Sequence, residues 1–310
     1  MNVSNEILTS SAVYTTETHL WKSLTRSLRP FFVLAKPEIT LMVMISAGVG
    51  SLMASSSFRS IAMVHSVLGI GLLAAGVSAL NQYVERELDS RMRRTAKRPL
   101  PAGELTPSQA LVFGIAISLS GMLYIVLLLN VLTALLGLLT LITYLFVYTP
   151  LKGKTRWCTF VGAFPGAAPI LMGWSATTNS LSLEAWALYA ILFIWQFPHF
   201  YAIGWLYRED YARAGMLMLP ALDDGEERTT FRYISLSAQL LIVVTAQLTF
   251  IAPMGLRYFL PAMILGFAFS YIADRASVSR SKAAAKLLLH ASVIYLPLLY
   301  LAMLIDRLNL

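Results

Sequence analysis

Nine apolar stretches of about 20 residues follow one another along the chain: 39–56, 61–83, 107–129, 131–149, 159–176, 183–206, 232–252, 257–274 and 286–305. A helix of 20 residues rises about 30 Å, the thickness of a bilayer's hydrocarbon core. No water is available there, so a crossing segment must satisfy its own backbone, and such stretches fold as helices. The expected class is all-α, a polytopic membrane protein with nine transmembrane helices. Composition agrees. Only 13% of residues are charged and 57% are hydrophobic, against about 25% charged in soluble domains. That excludes a disordered chain and a soluble two-domain enzyme. One cysteine, Cys158, leaves no internal disulfide and no cysteine metal cluster. Spans three and four are separated only by Leu129-Asn130-Val131. Together they are too long for one crossing, so a tight turn is expected there.

Charge placement orients the chain. Alternating the nine spans from a cytoplasmic N-terminus puts 21 of the 24 lysines and arginines inside, leaving Arg59, Arg257 and Arg307 outside. The positive-inside rule then sets the N-terminus in the cytoplasm and the C-terminus in the periplasm, in a cell inner membrane. The net charge of +8 reads as this loop bias and not as nucleic-acid binding. No signal peptide is expected. Residues 1–35 read as a cytoplasmic N-terminal segment and 36–306 as the transmembrane domain. The two longest loops follow spans two and six, both on the inner side, a faint echo of duplication.

Chemistry concentrates at that side. Span two continues as helix to about residue 92 and carries Asn81, Glu85 and Asp89 at i, i+4, i+8, which keeps them on one face. Oxygen ligands one turn apart suit Mg²⁺, which takes one or two carboxylates plus substrate phosphates. Arg93, Arg94, Lys97 and Arg98 follow at once, so the stretch reads as a site for a metal-bound diphosphate. The bland alternative is a solvated helix end paired as Glu87–Arg91 and Asp89–Arg93. In the next cytoplasmic loop Tyr148 and Lys152 are again four apart. Lysine can hold a diphosphate oxygen and tyrosine can donate to it, or both can simply anchor the interface. Span six holds Trp195, Gln196, Pro198 and His199. A polar group inside a span is a functional candidate by default, and the histidine is open to iron ligation, proton transfer or packing. Arg208, Glu209 and Asp210 supply a second charged patch. Glycines and prolines in span five indicate close packing or a kink. His19, His65 and His290, and the loop acids Asp223, Asp224, Glu226 and Glu227, carry little signal.

The pattern Asn81-x-x-x-Glu85-x-x-x-Asp89 followed by Arg93-Arg94-Thr-x-x-Arg98-Pro99-Leu100 resembles the first signature of the membrane-intrinsic prenyltransferase superfamily. Tyr148-Thr-Pro-Leu-Lys152, Trp195-Gln-Phe-Pro-His199-Phe and Arg208-Glu-Asp210-Tyr-x-x-Ala-Gly215 resemble its heme-prenylating branch. The resemblance spans about residues 30–305. It implies nine helices around a central cavity opening to the cytoplasmic side, and transfer of a farnesyl group from farnesyl diphosphate to heme B with Mg²⁺. The implied roles are catalysis by Asn81, Glu85, Asp89, Tyr148 and Lys152. Diphosphate would be bound by Arg93, Arg94, Lys97, Arg98, Lys152 and Arg208, Mg²⁺ by Asn81, Glu85, Asp89, Glu209 and Asp210, and heme by His199, Trp195 and Gln196. Heme A synthase is a partner by the same implication. Two departures stand out: Glu85 replaces the usual Asp, and the second acidic motif is reduced to adjacent Glu209 and Asp210. The rival functions are prenylation of a quinone precursor and, outside enzymology, secondary transport.

Overall fold

The computed structural model describes residues 28–55, 61–222 and 228–307. His19 and the acidic cluster at 223–227 lie outside the described residues, as does most of the N-terminal segment. Among the described residues there are helices and turns but no strand. We number the long helices α1 (Pro37–Ser55), α2 (Ile61–Ser90), α3 (Pro107–Leu128), α4 (Val131–Leu151), α5 (Cys158–Thr178), α6 (Leu183–Leu206), α7 (Arg228–Ile251), α8 (Leu256–Ser279) and α9 (Lys282–Arg307). Eight are long and apolar enough to cross a membrane; α5 is not counted among them. Its glycines, alanines, prolines and threonines dilute its hydropathy, yet most of it is buried. It packs against α1, α2, α4 and α6, so most of its surface is covered by protein, with Phe160 and Phe164 left exposed.

Local signals explain the helix ends. Thr106 caps α3 by accepting from the Gln109 N–H, with Gln109 bonding back to the Thr106 N–H and Pro107 at the first position. The expected turn between spans three and four is made by Asn130. Its Oδ1 accepts from the Thr133 N–H at 2.9 Å, and its Nδ2 donates to the Ser175 carbonyl on α5 at 2.7 Å. Within α4, residues Thr143–Tyr148 open into a wider π-type turn, a local irregularity common at functional positions.

Small residues set the closest approach. A Cβ on Gly173 would sit 1.9 Å from the Ala47 carbonyl oxygen, and one on Gly50 would sit 2.3 Å from the Ile170 oxygen. The two glycines therefore let α1 and α5 touch backbone to backbone. A second group, α6 to α9, packs around a core containing Phe231, Tyr258, Phe269 and Tyr295. Many large apolar side chains on the helix exteriors are exposed, Phe250 and Val278 at 85% and 86% among them. An outward apolar surface is what lipid requires.

Candidate active site

Asn81, Glu85 and Asp89 lie on one buried face of α2, at 1%, 4% and 1% exposure. A solvated helix end would leave them open, and the pairings expected of one are not made. Glu87 pairs instead with Arg86 at the surface. Each of the three buried groups meets a cation or donor from elsewhere in the chain. Lys36 Nζ donates to Asn81 Oδ1 at 3.0 Å, and Lys152 Nζ to Glu85 Oε1 at 2.6 Å. Arg98 Nη1 reaches both oxygens of Asp89, at 2.8 and 2.7 Å. The acidic face is thus lined by paired side chains, because unpaired carboxylates cannot stay buried.

Each partner is delivered by a local device. Lys36 takes a left-handed backbone conformation, φ 49°, which costs a non-glycine residue on the order of 1 kcal/mol. It sits between the short helix at 28–34 and α1. Gln82 Nε2 holds that segment down by donating to the Leu34 carbonyl at 2.7 Å. Lys152 follows the π-type turn of α4 and lies over the Tyr148 ring, 4.6 Å from its centre. Tyr148 in turn packs on α5, where a Cβ at Gly162 would come 2.5 Å from its ring. Thr149 donates to the Tyr144 carbonyl and accepts from Asn81 Nδ2 at 3.1 Å. Arg98 is brought round by the loop after α2, fixed where Thr95 Oγ1 donates to the Asp89 carbonyl.

Three cations face two carboxylates in this cluster. Burial first, and the charge of Arg98 second, push the Lys36 ammonium down to about 7. Burial also works against the charge of Lys152, but the Glu85 carboxylate outweighs it and holds Lys152 well above the usual lysine range. Lys152 and Arg98 balance the two carboxylates, and Lys36, when protonated, leaves a positive charge over for an anion.

Other expected residues fall elsewhere. Asp210 Oδ2 accepts from the Arg94 N–H at 3.1 Å and Oδ1 from Arg213 at 3.0 Å. Its carboxylate therefore ties the loop after α2 to the loop after α6. Burial opposes its charge, yet the Arg94 and Arg93 backbone amides and Arg213 keep it below the usual aspartate range. Glu209 is exposed and lies 3.7 Å from Lys282. Asp210 is thus engaged by the Arg94 amide and Arg213, and Glu209 by a surface pair with Lys282. Among the described residues no three His, Cys, Asp or Glu side chains converge as a ready metal centre. Arg93, Arg94 and Lys97 are exposed at the rim. Arg94 lies over Tyr207, and Arg208 over Trp205 at 4.3 Å.

The candidates on α6 divide between two neighbours. Gln196 Nε2 donates to the Ala163 carbonyl on α5 at 3.0 Å, and its Oε1 fills the space a Cβ on Gly166 would take. Gln196 thereby bridges α5 and α6, its Nε2 also donating to the Leu192 carbonyl at 3.2 Å. Trp195 and His199 turn instead to α9, stacked with ring centres 4.7 Å apart and bonded to Ser292. His65 is bonded to the Tyr124 hydroxyl at 2.8 Å, and His290 is exposed. Sequence reading counted Lys36 only as a loop charge and missed Gln82, Thr149 and Ser292. A lysine just before Pro37 was the available signal for the first; the others are ordinary polar residues with none.

A helical body of membrane-length apolar helices thus carries a buried acidic face lined by cations, the kind of site that receives an anion. The UbiA prenyltransferase family matches residues 42–294, and the chain belongs to that family. A protoheme IX farnesyltransferase of Solibacter usitatus is 43% identical over 290 residues, covering 90% of this chain and 99% of that protein. One from Koribacter versatilis is 42% identical, with 90% and 94% covered. A solved digeranylgeranylglyceryl phosphate synthase superposes with TM-score 0.74 at 15% identity, over 92% of this chain and 99% of the other. A UbiA homolog from Archaeoglobus fulgidus bound to GPP and Mg²⁺ gives TM-score 0.67 at 15% identity, over 90% and 99%. The protein is a multi-pass membrane prenyltransferase.

Proposed function

We propose that the chain transfers the farnesyl group of farnesyl diphosphate to a vinyl group of heme B, giving heme O and diphosphate. The observation that carries this is the buried row of Asn81, Glu85 and Asp89 held by Lys36, Lys152 and Arg98. The farnesyltransferase names of the 43% and 42% identical relatives support the choice of substrates.

The donor set fits Mg²⁺. One amide and two carboxylates, a turn apart, are too few for a closed metal cage but suit an ion that substrate phosphates complete. Lys36, Lys152 and Arg98 stand in for positive charge on these groups, so the site already demands cations there. Asn81, Glu85 and Asp89 would hold the ion, and it supplies charge for the departing diphosphate. Lys152, Arg98 and Lys36, released from their pairs, turn to the diphosphate oxygens, and Tyr148 donates to the same group. Arg93, Arg94, Lys97 and Arg208 draw the anion in from the rim.

The C–O bond breaks with its electron pair leaving on diphosphate. The vinyl electrons form the new C–C bond to the allylic carbon. Water adds to the resulting carbocation and loses a proton, leaving the hydroxyethyl group. Aromatic faces favour such cations; Phe197, Tyr201 and Phe160 already form one ring cluster on α5 and α6. His199 is the residue we assign to the heme iron. The chain is placed in a cell inner membrane, N-terminus cytoplasmic and C-terminus periplasmic, with residues 36–306 as its catalytic domain and a heme A synthase as the consumer of heme O.

Membranes carrying the protein, supplied with farnesyl diphosphate, Mg²⁺ and heme B, should yield a pigment of heme O mass by mass spectrometry. Asp89→Ala should yield none while still inserting normally. Near-normal heme O from that variant would remove Asp89 from the site.

A further inference from the structure

Ser292 lies on α9, fully buried, with no place in any sequence motif considered above. Its hydroxyl makes two hydrogen bonds: to the Leu289 carbonyl at 2.7 Å and with His199 Nδ1 at 2.7 Å. A hydroxyl has one proton and a carbonyl has none to give. With its proton given to the Leu289 carbonyl, Ser292 Oγ accepts from His199 Nδ1–H, the tautomer in which Nε2 has a bare lone pair. Nε2 makes no hydrogen bond among the described residues, and the side chain is only partly buried. Trp195 secures the other side, stacking on the imidazole while its indole N–H donates to the Ser292 carbonyl at 3.0 Å. Phe200 meets the ring edge-on at 5.4 Å.

This is the arrangement a metal-binding histidine needs: one nitrogen held by an acceptor, the other unprotonated and oriented. We infer that Ser292 is a positioning residue for the porphyrin substrate, fixing the His199 tautomer that offers Nε2 to the heme iron. The inference rests on the reading of His199 as the heme contact and adds the group that makes it competent. Removing the hydroxyl frees the imidazole to rotate and to place its proton on either nitrogen. Threonine keeps the hydroxyl.

Ferric heme titrated into the purified full-length chain in detergent, followed by the Soret band and the iron–histidine vibration, tests this. Ser292→Ala should weaken heme binding by about tenfold or more and shift the vibration, and Ser292→Thr should restore both. Farnesyl diphosphate binding in all three serves as the measure of folding. If His199→Ala loses the signature while Ser292→Ala keeps wild-type affinity and vibration, the role of Ser292 is overturned and the histidine ligand stands. If His199→Ala is unchanged, the ligand reading fails and takes this inference with it. Nitrogen-15 shifts of His199 in the unmodified chain need no variant: a bare Nε2 supports the inference, and a proton on Nε2 overturns it.

Discussion

At the scale of single residues, the proposed function has the cluster on α2 work by exchange. Lys36, Lys152 and Arg98 occupy oxygens that the proposed metal would take, and they are the groups best placed to meet the diphosphate that arrives with it. Lys36 is the sharpest case, since a strained backbone presents it. Lys36→Met should weaken farnesyl diphosphate binding by about 10- to 100-fold, the loss of a hydrogen bond to a charged group, and leave heme binding unchanged. Calorimetric titration of both ligands checks this; equal affinity for farnesyl diphosphate would return Lys36 to a structural role. The acidic row was legible in the sequence because helical spacing alone puts i, i+4 and i+8 on one face. Lys36 and Thr149 were not, because their bonds to Asn81 close over 45 and 68 residues of chain. Spacing says nothing about which distant cation a buried acid will find, so Arg98 as the partner of Asp89 was not legible.

Among the elements, glycines and one aspartate decide the fit. Gly173→Val would drive a branched side chain into the α1 backbone, with Ala47 O already 1.9 Å from the first added carbon. Overpacking of this kind costs about 1–3 kcal/mol or more where backbone must move, so the variant should unfold well below wild type in a detergent melting experiment. Asp210 joins the loops after α2 and α6 through Arg94. Asp210→Asn should free the loop at 91–106, read as faster tryptic cutting at its arginines. Because Asp210 is held below the usual aspartate range, its contribution is complete above that range and fades as pH falls through the depressed value. Helix positions were legible from hydropathy, which reports the bilayer. The turn at Asn130 was legible as well, from the length of the combined run; the π-type turn was not, since it depends on contacts within α4 that composition does not encode.

For the whole molecule, the proposed orientation rests on the charge bias of the loops. The single cysteine, Cys158, is buried, so an introduced thiol reports its own side. A membrane-impermeant maleimide should label Ser180→Cys in intact cells and Glu104→Cys only after permeabilisation; the reverse pattern would invert the topology. The eight apolar helices and the packed α5 were visible as stretches in the sequence, but that protein covers α5 while lipid covers much of the others was not. The central claim is that the acidic edge of α2 grips a prenyl diphosphate through a divalent ion. The most direct measurement is the affinity of the purified protein for farnesyl diphosphate with and without Mg²⁺, in wild type and in Asp89→Asn. Mg²⁺ should tighten binding strongly in wild type and little in the variant. Binding that ignores Mg²⁺, or responds to it equally in both proteins, would contradict the account.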